Sequence, residues 1–157
     1  NVSRGTNGAG AGNGAAPTDG TQRAFSETIL KAVQQLCFAN GGEPSMLIVG
    51  PHVKGVVSGF SGRTSVTQTV DANTVEASVA IYAGDFGELK VVPSNFSRSR
   101  SALFVDPNFA KTCFMRDFET IDIATIGDAI TKMLVVEFGL EVSNEKAHGI
   151  AADLSTS

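Results

Sequence analysis

The sequence predicts an α+β fold in which a mixed sheet is flanked by helices. Apolar residues between Phe25 and Cys37 recur at three- and four-residue intervals, which is typical of a helix with one buried face. A glycine-bounded connection, Gly84–Gly87, separates two strand-like stretches at residues 76–82 and 88–92 and predicts a hairpin. From Leu134 to Val142 every second residue is apolar, which predicts a strand with one buried face. The length of 157 residues favours one well-buried core.

The first residues carry little that could be buried. Residues 1–20 are rich in Gly, Ala, Asn and Thr and have almost no bulky apolar side chain. Such a segment cannot offset its ordering entropy by burial, so we expect a flexible tail over residues 1–23. The run Gly10–Ala15 nominally fits a dinucleotide-binding pattern, but no strand can precede it in nine polar residues. We therefore interpret it as part of a linker and expect no cofactor.

The first helix is predicted over Ala24–Ala39. Asp19 or Thr21 is a candidate N-cap, and Asn40-Gly41-Gly42 supplies the left-handed residue that ends a helix. Lys31 and Gln34 fall outside the apolar stripe, so we expect their truncation to have little effect. The predicted buried face consists of Phe25, Ile29, Leu30, Val33, Leu36 and Cys37.

Short elements follow this helix. Residues 46–49 read as a buried strand, and Pro51 at a first-turn position starts a second helix that runs to Ser58. The polar stretch Ser61–Thr74 predicts a surface loop or a weakly paired hairpin. Further strands are expected at residues 102–105 and 111–116, on either side of an Asp-Pro-Asn turn.

Composition argues against several functional classes. The net charge of −4 disfavours a protein whose main task is to bind nucleic acid phosphates, because such proteins usually show a clustered basic excess. The longest apolar runs are too short to span a bilayer. Cys37 and Cys113 lie in apolar stretches, where free thiols behave as small hydrophobes, so a reducing compartment is favoured.

No group of residues has the spacing of a catalytic or metal site. His52 and His148 are the only histidines, and the two cysteines lack zinc-site spacing. The acids Asp117, Glu119 and Asp122 would suit a catalytic pair, but a solvated strand edge or loop is the simpler interpretation. The basic loop with Arg98 and Arg100 reads as a solvated turn or, less often, as a contact for a carboxylate or phosphate. We therefore predict no catalytic, metal-binding or cofactor-binding residue.

Three segments together resemble the major capsid (head) proteins of tailed bacteriophages, which have the Hong Kong 97-type fold. They are the helix end Ala39–Pro44 with the strand that follows it, the hairpin Gly84–Pro93, and Leu134–Gly149. The last segment is the most specific. The resemblance extends over nearly all of Phe25–Leu154.

The resemblance implies a domain organisation. Subunits of that family have an N-terminal arm, an extended loop, a peripheral domain around a long spine helix, and an axial domain. This chain resembles the axial domain, with residues 1–23 as a tail, residues 24–139 as the axial-type domain, and residues 140–157 as a strand of the peripheral domain. The chain starts at Asn1 rather than Met, which favours a processed product, a proteolytic fragment or a shortened form.

The resemblance also implies a function. The chain is expected to be a structural subunit, not an enzyme, that assembles with copies of itself into an icosahedral phage or prophage shell enclosing DNA. Packaged DNA would be contacted non-specifically at most, and no membrane or small-molecule substrate is expected. The protein would reside in the virion, and in the host cytoplasm before assembly. The alternatives are a small non-viral binding module or a nanocompartment shell subunit of the same fold, with an enzyme third.

The family resemblance points to one self-assembly element. Axial domains meet around the five- and six-fold axes through a loop that follows a strand and a helix, and Ser61–Thr74 occupies that place here. Its candidate contact residues are Arg63, Asp71 and Asn73. A solvated loop without a partner is an equally good interpretation of each single residue.

Overall fold

The computed structural model describes residues 1–10, 16–60, 81–124, 127–128 and 130–156. The chain divides into two compact units, the first made of Asn1–Pro107 with Asn144–Ser157 and the second of Asn108–Ser143. The described elements in chain order are β1 (Val2–Ser3), α1 (Glu27–Ala39), β2 (Met46–Val49), α2 (Pro51–Ser58), β3 (Ile81–Gly84), β4 (Gly87–Pro93), β5 (Ala102–Val105), β6 (Ala110–Ile123), β7 (Thr131–Val142), a 3₁₀ turn (Glu145–Ala147) and β8 (Gly149–Ala151).

The first unit contains a mixed six-stranded sheet with the order β1-β8-β5-β2-β4-β3. β2 runs parallel to β4 and antiparallel to β5, so it lies at the centre of the sheet. β4 turns back on β3 through the predicted glycine-bounded hairpin, where Gly87 has a φ of 109° that favours glycine. A mixed sheet with two helices confirms the predicted α+β class.

One face of this sheet forms the hydrophobic core. Leu47 and Val49 of β2 point to the same side and are fully buried, as alternation requires. Both helices belong to the same cluster, α1 through Leu30 and Val33 and α2 through its buried valines. The rest of the cluster consists of Phe25, Cys37, Tyr82, Leu89, Val91, Ala102, Phe104, Ala151 and Leu154.

α1 begins later than predicted and has a different cap. Ser26 is the N-cap, since its hydroxyl accepts a hydrogen bond from the Ile29 amide, and the helix starts at Glu27. Neither Asp19 nor Thr21 performs this role. The predicted end is confirmed: Asn40 is the C-cap, and Gly41 follows with a φ of 78°.

The buried face of α1 also differs from the prediction. Gln34 is fully buried, whereas the predicted core residue Leu36 is 45% exposed. Both lie within one turn of Val33 and Cys37, so a small rotation of the helix about its axis exchanges them. Apolar spacing alone does not determine that rotation.

The described residues of the N-terminal segment are tied to the far end of the chain. β1 pairs in parallel with β8, in the register Val2 with Ile150. The Asp153 carboxylate accepts hydrogen bonds from the amides of Gly5 and Gly20, at 3.1 and 2.8 Å. These bonds lower the pKa of Asp153, the Gly20 bond most. The predicted mobility of residues 1–23 stays a prediction, and residues 11–15 lie outside the described part.

Candidate interaction surface

The second unit is a long two-stranded hairpin. β6 and β7 pair antiparallel from Ala110 with Val142 to Ile123 with Thr131. β6 is much longer than the predicted strand at residues 111–116. Two register shifts, on either side of Arg116, place the extra residues on β6, so β7 keeps its regular alternation.

One face of this hairpin is apolar and exposed. The even-numbered residues of β7 lie on one side, and Phe138 pairs with Phe114 there, with ring centroids 6.1 Å apart. The exposed fractions reach 66% at Phe138 and 74% at Leu140. The other large exposed side chains of this face are Phe114, Leu134 and Val142. We call these three residues, together with Phe138 and Leu140, the apolar hairpin face.

The predicted burial of this strand face is therefore wrong for the isolated chain. The alternation from Leu134 to Val142 is present, but none of its apolar positions is buried. These positions are Leu134, Val136, Phe138, Leu140 and Val142. A two-stranded hairpin has one layer, so its faces remain in water unless another element covers them. The sequence pattern correctly indicates a side that is suited to burial, although the covering element does not lie within the described residues.

The opposite face is polar in the half near Val142. Lys111 stands across from Glu141, and Arg116 lies 4.0 Å from the Glu137 carboxylate. The thiol of Cys113 donates a hydrogen bond to Glu141 at 3.0 Å. This bond raises the pKa of Cys113 and lowers that of Glu141. A thiol with a raised pKa is a poor nucleophile, so the cysteine does not indicate a catalytic site.

The hairpin has the properties of an interaction surface. Isolated two-stranded hairpins are marginally stable in water, and among the described residues no third strand pairs with β6 or β7. A contiguous exposed apolar face usually marks a contact with another protein. One face of the hairpin is apolar, whereas the other carries polar and charged side chains. This difference favours a partner that covers only the apolar hairpin face.

Cys37 and His148 belong to the first unit and make their contacts inside it. Cys37 is fully buried in the core, and burial raises the pKa of its thiol. The imidazole of His148 accepts a hydrogen bond from the Asp106 amide at 3.2 Å through Nδ1. Across the described ranges, no three side chains of His, Cys, Asp or Glu come together as metal ligands. Nor does any helix there have the length and apolarity to cross a bilayer.

The sequence-predicted assembly residues cannot be compared with this surface. Arg63, Asp71 and Asn73 belong to residues 61–80, which lie outside the described part of the chain. The apolar hairpin face was missed as an exposed surface, although its signal was present. The alternation from Leu134 to Val142 predicts an apolar face, and the sequence offers no obvious element to pack against it. Such a face indicates a contact with another surface.

Two comparisons with known proteins gave matches. A scan of family models matches residues 2–155 to the family described as SU10 major capsid protein. Among solved structures, the chain is similar to a virus-like particle from Pyrococcus furiosus, with 12% identity and a TM-score of 0.47. That match covers 83% of this chain and 55% of the other, so the chain spans about half of that protein's length. The comparison with curated proteins gave no match.

Proposed function

This chain belongs to the SU10 major capsid protein family, and from that premise we propose that it is a structural subunit which assembles with copies of itself into a phage or prophage shell around DNA. The observation that carries the proposal is the family match over residues 2–155. A shell subunit needs complementary surfaces rather than a nucleophile or a metal. We therefore propose a non-enzymatic role, in the virion and, before assembly, in the host cytoplasm.

The apolar hairpin face is the proposed assembly contact. Burying an exposed Leu or Phe side chain contributes about 1.5–3 kcal/mol. Leu140 is 74% exposed, so covering it with an apolar surface of a neighbouring copy would contribute about 1–2 kcal/mol. Several such side chains on one face, repeated at every contact of a shell, provide a substantial driving force for assembly.

Two substitutions on adjacent residues test this contact. Leu140→Thr keeps a residue suited to strands but removes the apolar contact, whereas Glu141→Thr changes the opposite face. We expect Leu140→Thr in the complete protein to weaken each contact by about 1–2 kcal/mol, a factor of roughly 5–30 in its equilibrium constant. Electron microscopy and sedimentation should then show far fewer closed particles for Leu140→Thr than for Glu141→Thr. Equal yields would exclude the apolar hairpin face from the shell contacts.

Finer features of the subunit are also proposals. We propose the Hong Kong 97-type fold, with residues 24–139 as its axial-type domain, residues 140–157 as part of the peripheral domain, and residues 1–23 as a tail. Arg63, Asp71 and Asn73 are proposed to contact neighbouring copies, where charge pairs would set register more than affinity. An electron cryomicroscopy map of the assembled particle tests these placements together, and a position of Arg63 far from every neighbouring copy would remove the loop from the interface.

A further inference from the structure

The first unit has a pocket on the face of the sheet that points away from the core. Its floor consists of Ile48, Leu103 and Ile150, which are register partners across β2, β5 and β8. Ile48 lies between Leu47 and Val49, whose side chains are buried on the other face, so alternation directs Ile48 outward. The pocket has a volume of about 430 Å³.

A buried hydroxyl without a partner lies in the wall of this pocket. Ser101 is only 6% exposed, and its Oγ has no hydrogen-bond partner within the described part of the chain. A buried polar atom left unpaired is costly and is usually satisfied by protein or water. The Oγ atom itself is not accessible from the pocket, so the apolar floor and not this hydroxyl is the surface that an occupant would contact.

The cations beside the pocket are paired within the chain. Arg98 lines the pocket, but its guanidinium is paired with the Asp19 carboxylate, and so is that of Arg100 at 2.8 Å. The Asp19 carboxylate thus forms ion pairs with both guanidinium groups. These pairs hold the two loops of the rim together and leave the apolar floor as the main attraction for an occupant.

Phe96 stands on the same rim and is fully exposed. Its amide donates a hydrogen bond to the Ser94 hydroxyl at 3.3 Å, which shapes the loop that carries it. The surface therefore carries both a protruding aromatic side chain, Phe96, and an apolar pocket beside it. Two copies of such a surface are complementary to each other about a two-fold axis.

We propose that this pocket receives Phe96 of a second copy of the chain, in a reciprocal contact in which each copy contributes one ring and one pocket. An apolar cavity of about 150 Å³ is enough to bind a benzene ring, so the pocket has room for a phenylalanine side chain. This inference rests on the proposed self-assembly but uses a surface of the first unit, not the apolar hairpin face.

The contact is weak by itself. Two phenylalanine rings bury about 300–500 Å² together, well below the roughly 1,200 Å² of a stable, specific interface. The pairing is therefore expected only at high concentration for the free chain. In a shell it would act together with many other contacts, each of which raises the effective concentration of the next.

The test observes the floor of the pocket directly. Methyl NMR signals of Ile48 and Ile150 are followed from micromolar to millimolar chain in a Leu140→Thr background, which weakens association through the hairpin. We expect concentration-dependent shifts, and at least about tenfold weaker association for Phe96→Ala. Phe38→Ala is the control, because Phe38 is an exposed aromatic of the same unit that does not line the pocket.

Mixing two variants separates the ring from the pocket. Leu103→Glu places a charge on the floor and should abolish the shifts in a homogeneous sample. A mixture of Phe96→Ala with Leu103→Glu restores one intact ring and one intact pocket, so the shifts should partly return. Absence of shifts in the starting protein at millimolar concentration, or equal shifts in Phe96→Ala, would overturn the proposal. Neither result depends on whether the hairpin forms shell contacts.

Discussion

Replacing Gln34 by Met is expected to stabilise the first unit. Gln34 is fully buried in α1, and neither Nε2 nor Oε1 has a hydrogen-bond partner among the described residues. Its oxygen faces β3, where a side chain on Gly84 would come within 3.2 Å of it. A buried polar group without a partner costs about 1–3 kcal/mol.

The size of the effect follows from what Met changes. Met is similar to Gln in length and volume but carries no amide, so it removes the two unpaired groups without leaving a large cavity. Swaps of similar volume usually cost less than about 1.5 kcal/mol. We therefore expect the free energy of unfolding to rise by about 0.5–2 kcal/mol, which is the cost of the unpaired amide less the cost of the swap.

Urea unfolding followed by circular dichroism measures this difference, with Gln35→Met as the matched control. Gln35 is the next residue on the same helix and is exposed, so its substitution should change stability by less than about 0.5 kcal/mol. A loss of stability in Gln34→Met that exceeds that of the control would refute the reasoning. It would mean that the amide has a partner, or that the site does not accommodate the thioether.

Two further predictions concern packing and pH. Gly149→Ala should cost about 1–3 kcal/mol of unfolding free energy in the same assay, because the new Cβ would lie 2.6 Å from Val33 Cγ1. Gly55→Ala in α2 is the control: its Cβ meets nothing within 4 Å, so it should stabilise the protein by about 0.5–1 kcal/mol. Equal effects of the two substitutions would contradict this packing. Asp153→Asn should lower stability at neutral pH by about 1–3 kcal/mol. Since the folded pKa of Asp153 is lowered, its contribution is present above about pH 4 and is lost as the pH falls through the folded pKa; a difference independent of pH between 2 and 7 would contradict that role.

The regular elements were predictable because local signals determine them. β2 and α2 have the predicted limits, Met46–Val49 and Pro51–Ser58. In both, a short apolar run or a first-turn proline lies next to glycine or proline residues that end the element. The N-cap of α1 was not predictable in this way, because several residues before the helix, Ser26 among them, have capping side chains.

The apolar hairpin face shows a partial success. Alternation from Leu134 to Val142 determines that β7 has one apolar side, and the structure has that side. Whether the side is buried depends on a covering surface, which no pattern within β7 specifies. The pocket beside Phe96 could not be predicted either, since it combines residues from three strands and two loops that are far apart in the chain.

The sequence by itself determined elements such as β2 and α2, the α+β class and the family resemblance, because spacing and turn residues act over a few positions. Only the tertiary structure decided which residues those elements bury and how distant segments meet. Gln34 is buried rather than Leu36 because the rotation of α1 is set by the sheet beneath it. The described N-terminal residues meet β8 and the Asp153 carboxylate, about 150 positions along the chain, through their own backbone groups. Contacts of that kind leave no signal in side-chain patterns, and so they emerge only when the chain is folded.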